Sequence, residues 1–223
     1  MRFADRSEAG RLLAARLLAA RLPSQEARRP VVLALPRGGV PVGFEVARAL
    51  NAPLDLLLVR KIGAPHQPEL AIGAIADGEA PVLETDSELI ERLHIPPAYV
   101  ERTKQAELAE LERRRRAYLG DQAPIDLHGR AAIVVDDGIA TGATMRAALR
   151  SVRRRGPAAL ILAVPVAPPD TLARMRAEVD EVVCLEAPED FMAVGQFYRD
   201  FPQLDDAEVT ALLARARAEK GGR

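Results

Sequence analysis

Four short runs of apolar residues punctuate the chain: VVLAL at 31–35, LDLLLV at 54–59, AAIVV at 131–135 and AALILAV at 158–164. Runs of this length with little polar alternation predict strands buried on both faces, the pattern of a parallel sheet. Between them, apolar positions recur at helical spacing. Met145, Ala148, Leu149 and Val152 stand at i, i+3, i+4 and i+7 and predict a helix over about 144–155. VPVGFEVARAL predicts another over 40–50, and 171–179 a third, followed by a last strand at 181–186. Asp5 with Glu8 reads as a capping box that opens a helix over about 6–22, closed by Pro23. Strands alternating with helices predict an α/β fold: a parallel sheet flanked by helices on both faces.

Other segments stand outside that alternation. LAIGAIADGEAPVLE reads as a hairpin turning at Asp77-Gly78, after a breaker-rich segment, IGAPHQPE, at 62–69. SELIERL (87–93) predicts a short helix, and Ala98–Leu119 a long charged one whose apolar stripe is only Val100, Leu108, Leu111 and Tyr118. A polar helix over about 205–219 ends the chain. The expected organisation is one domain over 1–223: a core at about 30–186, a helical insertion at about 87–119, and a C-terminal hood or tail at about 187–223.

Composition narrows the classes. With 223 residues, 48% hydrophobic and 28% charged, the chain can bury a substantial core. A net charge of −1 supplies no global attraction to nucleic acid or acidic membranes. The arginine runs 113–116 and 153–155 do not overturn this, because Glu101, Glu107, Glu110 and Glu112 share the first helix and predict a solvated ion-paired face rather than an RNA contact. Cys184 is the sole cysteine, which excludes an intrachain disulfide and predicts a buried, inert thiol. The longest nearly apolar run, Pro157–Pro169, is too short for a membrane span and contains four prolines. Arg11, Arg16 and Arg21 interrupt the N-terminal LLAAR repeat before it forms a signal-peptide core, so a cytoplasmic protein is expected.

The chemistry concentrates in AAIVVDDGIATGATMR (131–146), where two adjacent acids precede a loop suited to an anion. A strand, a glycine-bearing loop and a helix start direct amides and a partial positive charge inward. There is no GK[ST] ending and no GxGxxG, so the nucleoside-triphosphate and dinucleotide patterns both fail. Consecutive strand residues point to opposite faces, so Asp136 and Asp137 are poorly placed to pinch one small metal ion. At a strand's carboxyl end they can still accept hydrogen bonds from two hydroxyls. A phosphorylated sugar with a vicinal diol fits both features.

VVDDGIATGAT resembles the phosphoribosyl pyrophosphate motif of the type I phosphoribosyltransferases, with Ala143 where many members carry glycine. The resemblance spans roughly 30–200, with 34–39 and 134–144 its specific segments, and VGQFYRDFPQLDD is similar to the tail of an uncharacterised bacterial subgroup. It implies that Asp136 and Asp137 hold the ribose hydroxyls. Gly138, Ile139, Ala140, Thr141, Gly142, Ala143 and Thr144 would then cradle the 5′-phosphate. It implies a pyrophosphate loop in ALPRGGVP, where Arg37, Gly38 and Gly39 would act and Arg37-Gly38 is the candidate for a cis peptide. It also implies a basic pair, Arg60 and Lys61, before a closing loop over 62–70 that contains His66 and Glu69, neither with an assigned role. Phe191, Phe197, Tyr198 and Phe201 cluster near the C-terminus; Phe197 and Tyr198 either face the acceptor or dock the tail on the core.

The implied reaction transfers phosphoribosyl from its pyrophosphate to a nitrogen acceptor. Mg²⁺ would be held mainly by substrate near the acid pair, with no direct protein ligand. Arg37 and Lys61 would stabilise the leaving group, and Asp137 is the candidate base. A nucleotide sensor and a phosphoribosyl hydrolase are the alternatives. The acceptor's identity is not readable, and the 98–119 helix is long enough to pack on a second subunit.

Overall fold

The computed structural model describes residues 2–20, 29–77 and 81–221. In chain order the first half contains α1 (Arg6–Ala19), β1 (Val31–Ala34), α2 (Gly39–Ala49), β2 (Leu54–Leu56), β3 (Val59–Ala64), β4 (Gln67–Ala76), β5 (Val82–Thr85) and α3 (Ser87–Arg92). There follow α4 (Pro97–Leu119), β6 (Ala131–Val135), α5 (Ala143–Arg154), β7 (Ala159–Val166), α6 (Pro169–Met175), β8 (Glu181–Glu186) and α7 (Asp206–Gly221). Five strands form a parallel sheet in the order β2-β1-β6-β7-β8.

Each face of this sheet has its own helices, which is why its central strands carry no polar residue. Val32, Ala34, Ile133 and Val135 pack against Leu13 and Leu17 of α1, Val42 and Val46 of α2, and Val209 and Leu213 of α7. Their neighbours Val31, Leu33, Ala132 and Val134 pack on the other side against Met145, Leu149 and Val152 of α5 and Leu172 and Met175 of α6. The period of two thus serves two cores at once. From β1 the chain moves outward to β2, and from β6 it moves outward the other way to β7. A crevice opens between β1 and β6 at their carboxyl ends, the place where parallel α/β sheets bind ligands.

A second sheet, antiparallel in the order β3-β4-β5, builds a small core of Ile62, Ala64, Ile72 and Ile95 beneath α3 and α4. Here the structure departs from three expectations. The strand expected over 54–59 stops at Leu56, and Val59 to Lys61 already belong to β3. The expected loop over 62–70 is a ribbon, with Ala64 paired to Gln67 and only Pro65 and His66 between them. His66 has φ +63°. Proline followed by a positive φ is the type II turn pattern, so residues that read as breakers along the chain serve one tight turn. The hairpin of β4 and β5 is present, but Asp77 is buried rather than exposed at its tip. It accepts from the Leu58 amide at 2.9 Å and from Arg115 at 2.8 Å. Gly78, the expected end of α1 at 22–23 and the side chain of Glu69 lie outside the described residues.

The arginine runs are largely paired, as expected of solvated helix faces. Arg113 and Arg114 bind Glu110, Arg116 binds Glu112, Arg153 binds Asp180, and Arg154 binds Glu84. Arg115 alone of the first run turns inward. The expected Asp5 cap opens α1, the Glu8 amide donating to Asp5 at 2.7 Å, but the Glu8 carboxylate accepts from the Ala4 amide rather than from that of Asp5, so only half of the capping box forms. Half-buried Cys184 lies 3.1 Å from the Glu186 carbonyl, and burial pushes its thiol up to about 11, in keeping with an inert group. Among the described residues no helix is long and apolar enough to cross a membrane.

Candidate functional site

Asp136 and Asp137 follow β6 at the crevice, and the loop after β1 lies directly on them. A Cβ at Gly38 would come within 2.0 Å of Asp137 Oδ2, so any side chain there would displace that carboxylate. Gly39 opens α2 beside the Asp136 backbone. Asp137 is held on three sides. Arg6 Nε donates to its Oδ2 at 2.8 Å, the Tyr198 hydroxyl donates to its carbonyl at 2.5 Å, and its amide donates to Asp136 Oδ1 at 2.8 Å. The two carboxyls also share a hydrogen bond with each other, Asp136 on the raised side of it and Asp137 on the lowered side. Burial, with Asp137 alongside, holds the Asp136 carboxyl well above the usual carboxylate range. Burial also raises Asp137, against the pull of the Arg6 guanidinium. Two adjacent buried acids whose partners are Arg6, one backbone amide and each other are suited to a ligand that brings hydroxyls.

The following loop is anchored at two points. The Ile139 amide donates to the Val166 carbonyl at 3.0 Å, and Thr171 donates to the Ala140 carbonyl at 2.8 Å. Gly142 then takes φ +80° and caps α5. Its left-handed conformation turns the chain into the helix. Nothing among the described residues accepts from the amides of Ala140, Thr141, Gly142, Ala143 and Thr144. Unpaired amides at a helix start are a ready anion cradle. Ile139 departs from the expected set, because its amide is spent on Val166 and its side chain is buried.

The remaining candidates divide. Arg37 sits on the loop above the acids, half exposed, its guanidinium 3.9 Å from Asp206 at the start of α7. The cis peptide of this loop is Pro36–Arg37, not the expected Arg37–Gly38. Arg60 and Lys61, expected to act together, face opposite ways because they are neighbours on a strand. Arg60 pairs with Glu107 of α4 at 2.6 Å. Lys61 lines a cavity of about 470 Å³ with Ala143, Thr144, Arg146 and Arg150 at the start of α5. Tyr198 is fully buried between Phe3 and Phe201, with ring centroids 5.4 and 4.8 Å away, so it cannot stack on an acceptor base. Its desolvated hydroxyl is raised far above the usual phenol range and stays a donor. Of the two readings, tail docking holds for Tyr198. Phe197, half-buried, stacks on Phe191 at 5.4 Å.

Residues 6–202 match the family model described as Phosphoribosyl transferase domain. The chain belongs to that family. Two Mycobacterium tuberculosis proteins, each named "Putative phosphoribosyl transferase" (MT0597 of strain CDC 1551 and Rv0571c of strain H37Rv), are 49% identical to it over 217 residues. The match takes in 97% of this chain and 47% of theirs, so the chain spans about half the length of the curated relatives it matches. The crystal structure of TT1426 from Thermus thermophilus is similar at a TM-score of 0.82 and 43% identity, over 96% of this chain and 99% of that one.

Within this phosphoribosyl transferase frame, two residues at the site escaped the sequence reading. Thr171, buried at the start of α6, fixes the loop through Ala140. Arg6 reaches Asp137 from 131 positions away. Its one local cue is a positive charge in the first turn of a helix, where the macrodipole disfavours it.

Proposed function

We propose that the chain transfers the 5-phosphoribosyl group from phosphoribosyl pyrophosphate to a nitrogen acceptor, a nucleobase in the simplest case, and releases pyrophosphate. One observation carries the reading: a buried acid pair and, a few residues later, a run of acceptor-free amides lie beneath a second glycine loop. In this reading Asp136 and Asp137 accept the ribose hydroxyls. The amides of 140–144, with the Thr141 and Thr144 hydroxyls, hold the 5′-phosphate. Arg37 and the Gly38–Gly39 loop take the pyrophosphate, and Lys61 adds a charge from β3.

As the bond from carbon 1 to the pyrophosphate oxygen breaks, its electron pair leaves with the pyrophosphate. The sugar gains oxocarbenium character, and the acceptor nitrogen attacks the opposite face. Positioning and electrostatics then suffice, without a covalent intermediate on the protein. Asp137 would take the acceptor's proton, a role carried by resemblance alone. Mg²⁺, when bound with the donor, would neutralise the leaving pyrophosphate. The site suits it: two adjacent carboxyls at the crevice can orient the waters of an ion borne mainly by substrate phosphates.

The test is to mix the chain with Mg²⁺ and phosphoribosyl pyrophosphate and follow pyrophosphate with and without a panel of purine and pyrimidine bases. Release that depends on one base is expected. Release without any base would indicate hydrolysis instead, and binding without release would indicate a sensor. No binding at all would overturn the donor assignment.

A further inference from the structure

We propose that Arg6 is a positioning residue for the sugar end of the site, fixing the orientation of the Asp137 carboxylate in which it meets a ligand hydroxyl. The inference rests on the donor reading above and names the part of the chain that sets the diol clamp. Arg6 is 8% exposed, and nothing about its local position favours a buried cation. It stands first in α1, facing the positive end of the helix dipole. Three contacts from distant segments compensate. Its Nε donates to Asp137 Oδ2 at 2.8 Å, its Nη1 donates to the Pro202 carbonyl at 2.8 Å, and its guanidinium lies 3.8 Å from the Phe201 ring centroid. Fork geometry, ring stacking and constant charge are what arginine supplies and lysine does not.

The support under Arg6 is itself fastened. The Phe3 amide donates to the Phe197 carbonyl at 2.8 Å, and the Arg199 amide returns a bond to Phe3 at 2.8 Å. The segment at 3–6 and the tail at 197–202 therefore meet beneath Asp137, with the Tyr198 hydroxyl on the same residue's carbonyl. The charged and titratable groups facing Asp137 are Arg6 from α1, Asp136 from its own loop and Tyr198 from the tail; Arg37, on the loop above, is directed toward Asp206. Without Arg6 the carboxylate would lose its anchor and could rotate or pair elsewhere. Arg6 makes no hydrogen bond or ion pair with the pyrophosphate end, Arg37, Gly38 and Gly39, among the described residues, and meets it only through the Asp137 carboxylate on which Gly38 packs.

That separation makes the inference testable by titration calorimetry with three probes: phosphoribosyl pyrophosphate, ribose 5-phosphate and inorganic pyrophosphate. In Arg6→Gln the affinities for the two ribose compounds are expected to fall at least about tenfold, the worth of one charge-assisted hydrogen bond, while pyrophosphate binds as before. Arg6→Lys is expected to recover part of the loss, since it restores the charge but not the fork. If Arg6→Gln does not fold, Arg6→Lys carries the same comparison, with a smaller loss confined to the ribose compounds. Equal losses for all three probes, or none, would overturn the positioning role. Failure of the unmodified chain to bind phosphoribosyl pyrophosphate would overturn the donor reading instead.

Discussion

Replacing Asp136 and Asp137 together by asparagine is expected to lower affinity for phosphoribosyl pyrophosphate about a hundredfold. Asparagine keeps an acceptor oxygen at each position, so the effect is that of exchanging two charge-assisted hydrogen bonds for neutral ones. Each exchange is worth about 1–1.5 kcal/mol, and two give about two decades. Calorimetric titration reads this directly, and a variant that binds within threefold of the parent would remove the diol assignment. The two positions differ in what they do to the fold. Asp137→Asn strands the buried Arg6 guanidinium and is expected to destabilise. Asp136 has no cation of its own; burial and its neighbour raise its carboxyl.

The sign for Asp136 follows from linkage. A carboxyl whose folded value lies above its unfolded value of 3.8 contributes stability below that value, and the contribution is lost as pH rises through the folded one. Asp136→Asn should therefore melt above the parent at pH 7.5, with the difference closing as pH approaches 4. An equal difference at both pH values would show that charge is not its source. A change that raises stability while removing binding would mark Asp136 as a group held at cost until a ligand satisfies it.

The parts legible in the sequence are those set by local periodicity. AAIVV must be buried on both faces, and Met145, Ala148, Leu149 and Val152 must share one, so β6 and α5 fall where the pattern puts them. The acid pair and glycine loop lie between them with little freedom to be elsewhere. Local pattern fails where a residue's meaning depends on a distant partner. Arg115 looks like one member of an exposed run until Asp55 and Asp77 are brought to it. Arg60 and Lys61 read as a pair until strand alternation separates them. Pro65 and Gly63 read as a loop because breakers are counted without knowing that β3 and β4 will pair across them. The aromatic tail offered two roles, and only the burial of Tyr198 decides which one that ring has.

Arg115→Ala is expected to destabilise the protein by about 3–5 kcal/mol, the range for orphaning a buried ion-pair partner. Arg115 Nη1 lies 2.8 Å from Asp77 Oδ2, and its Nη2 lies 3.6 Å from Asp55 Oδ1. Both acids are buried and bound to backbone as well. Asp77 takes the Leu58 amide at 2.9 Å, and Asp55 takes the amides of Leu56 at 2.8 Å and Ile125 at 3.0 Å. One guanidinium thus fastens α4 to β2 and to the small sheet, and Asp55 in turn holds the segment entering β6. Removing the guanidinium leaves two buried carboxylates without a cation. Burial already holds the Asp77 carboxyl above the usual range, with Arg115 pulling it back. Arg113→Ala, two residues earlier on an exposed ion pair, is the control and should leave the urea midpoint essentially where it is. Urea denaturation of the two variants separates them, and coincident midpoints would show that the cluster clamps nothing. A triple change, Asp55→Asn, Asp77→Asn and Arg115→Met, should recover much of the loss, because the cost comes from stranded charge rather than from missing volume.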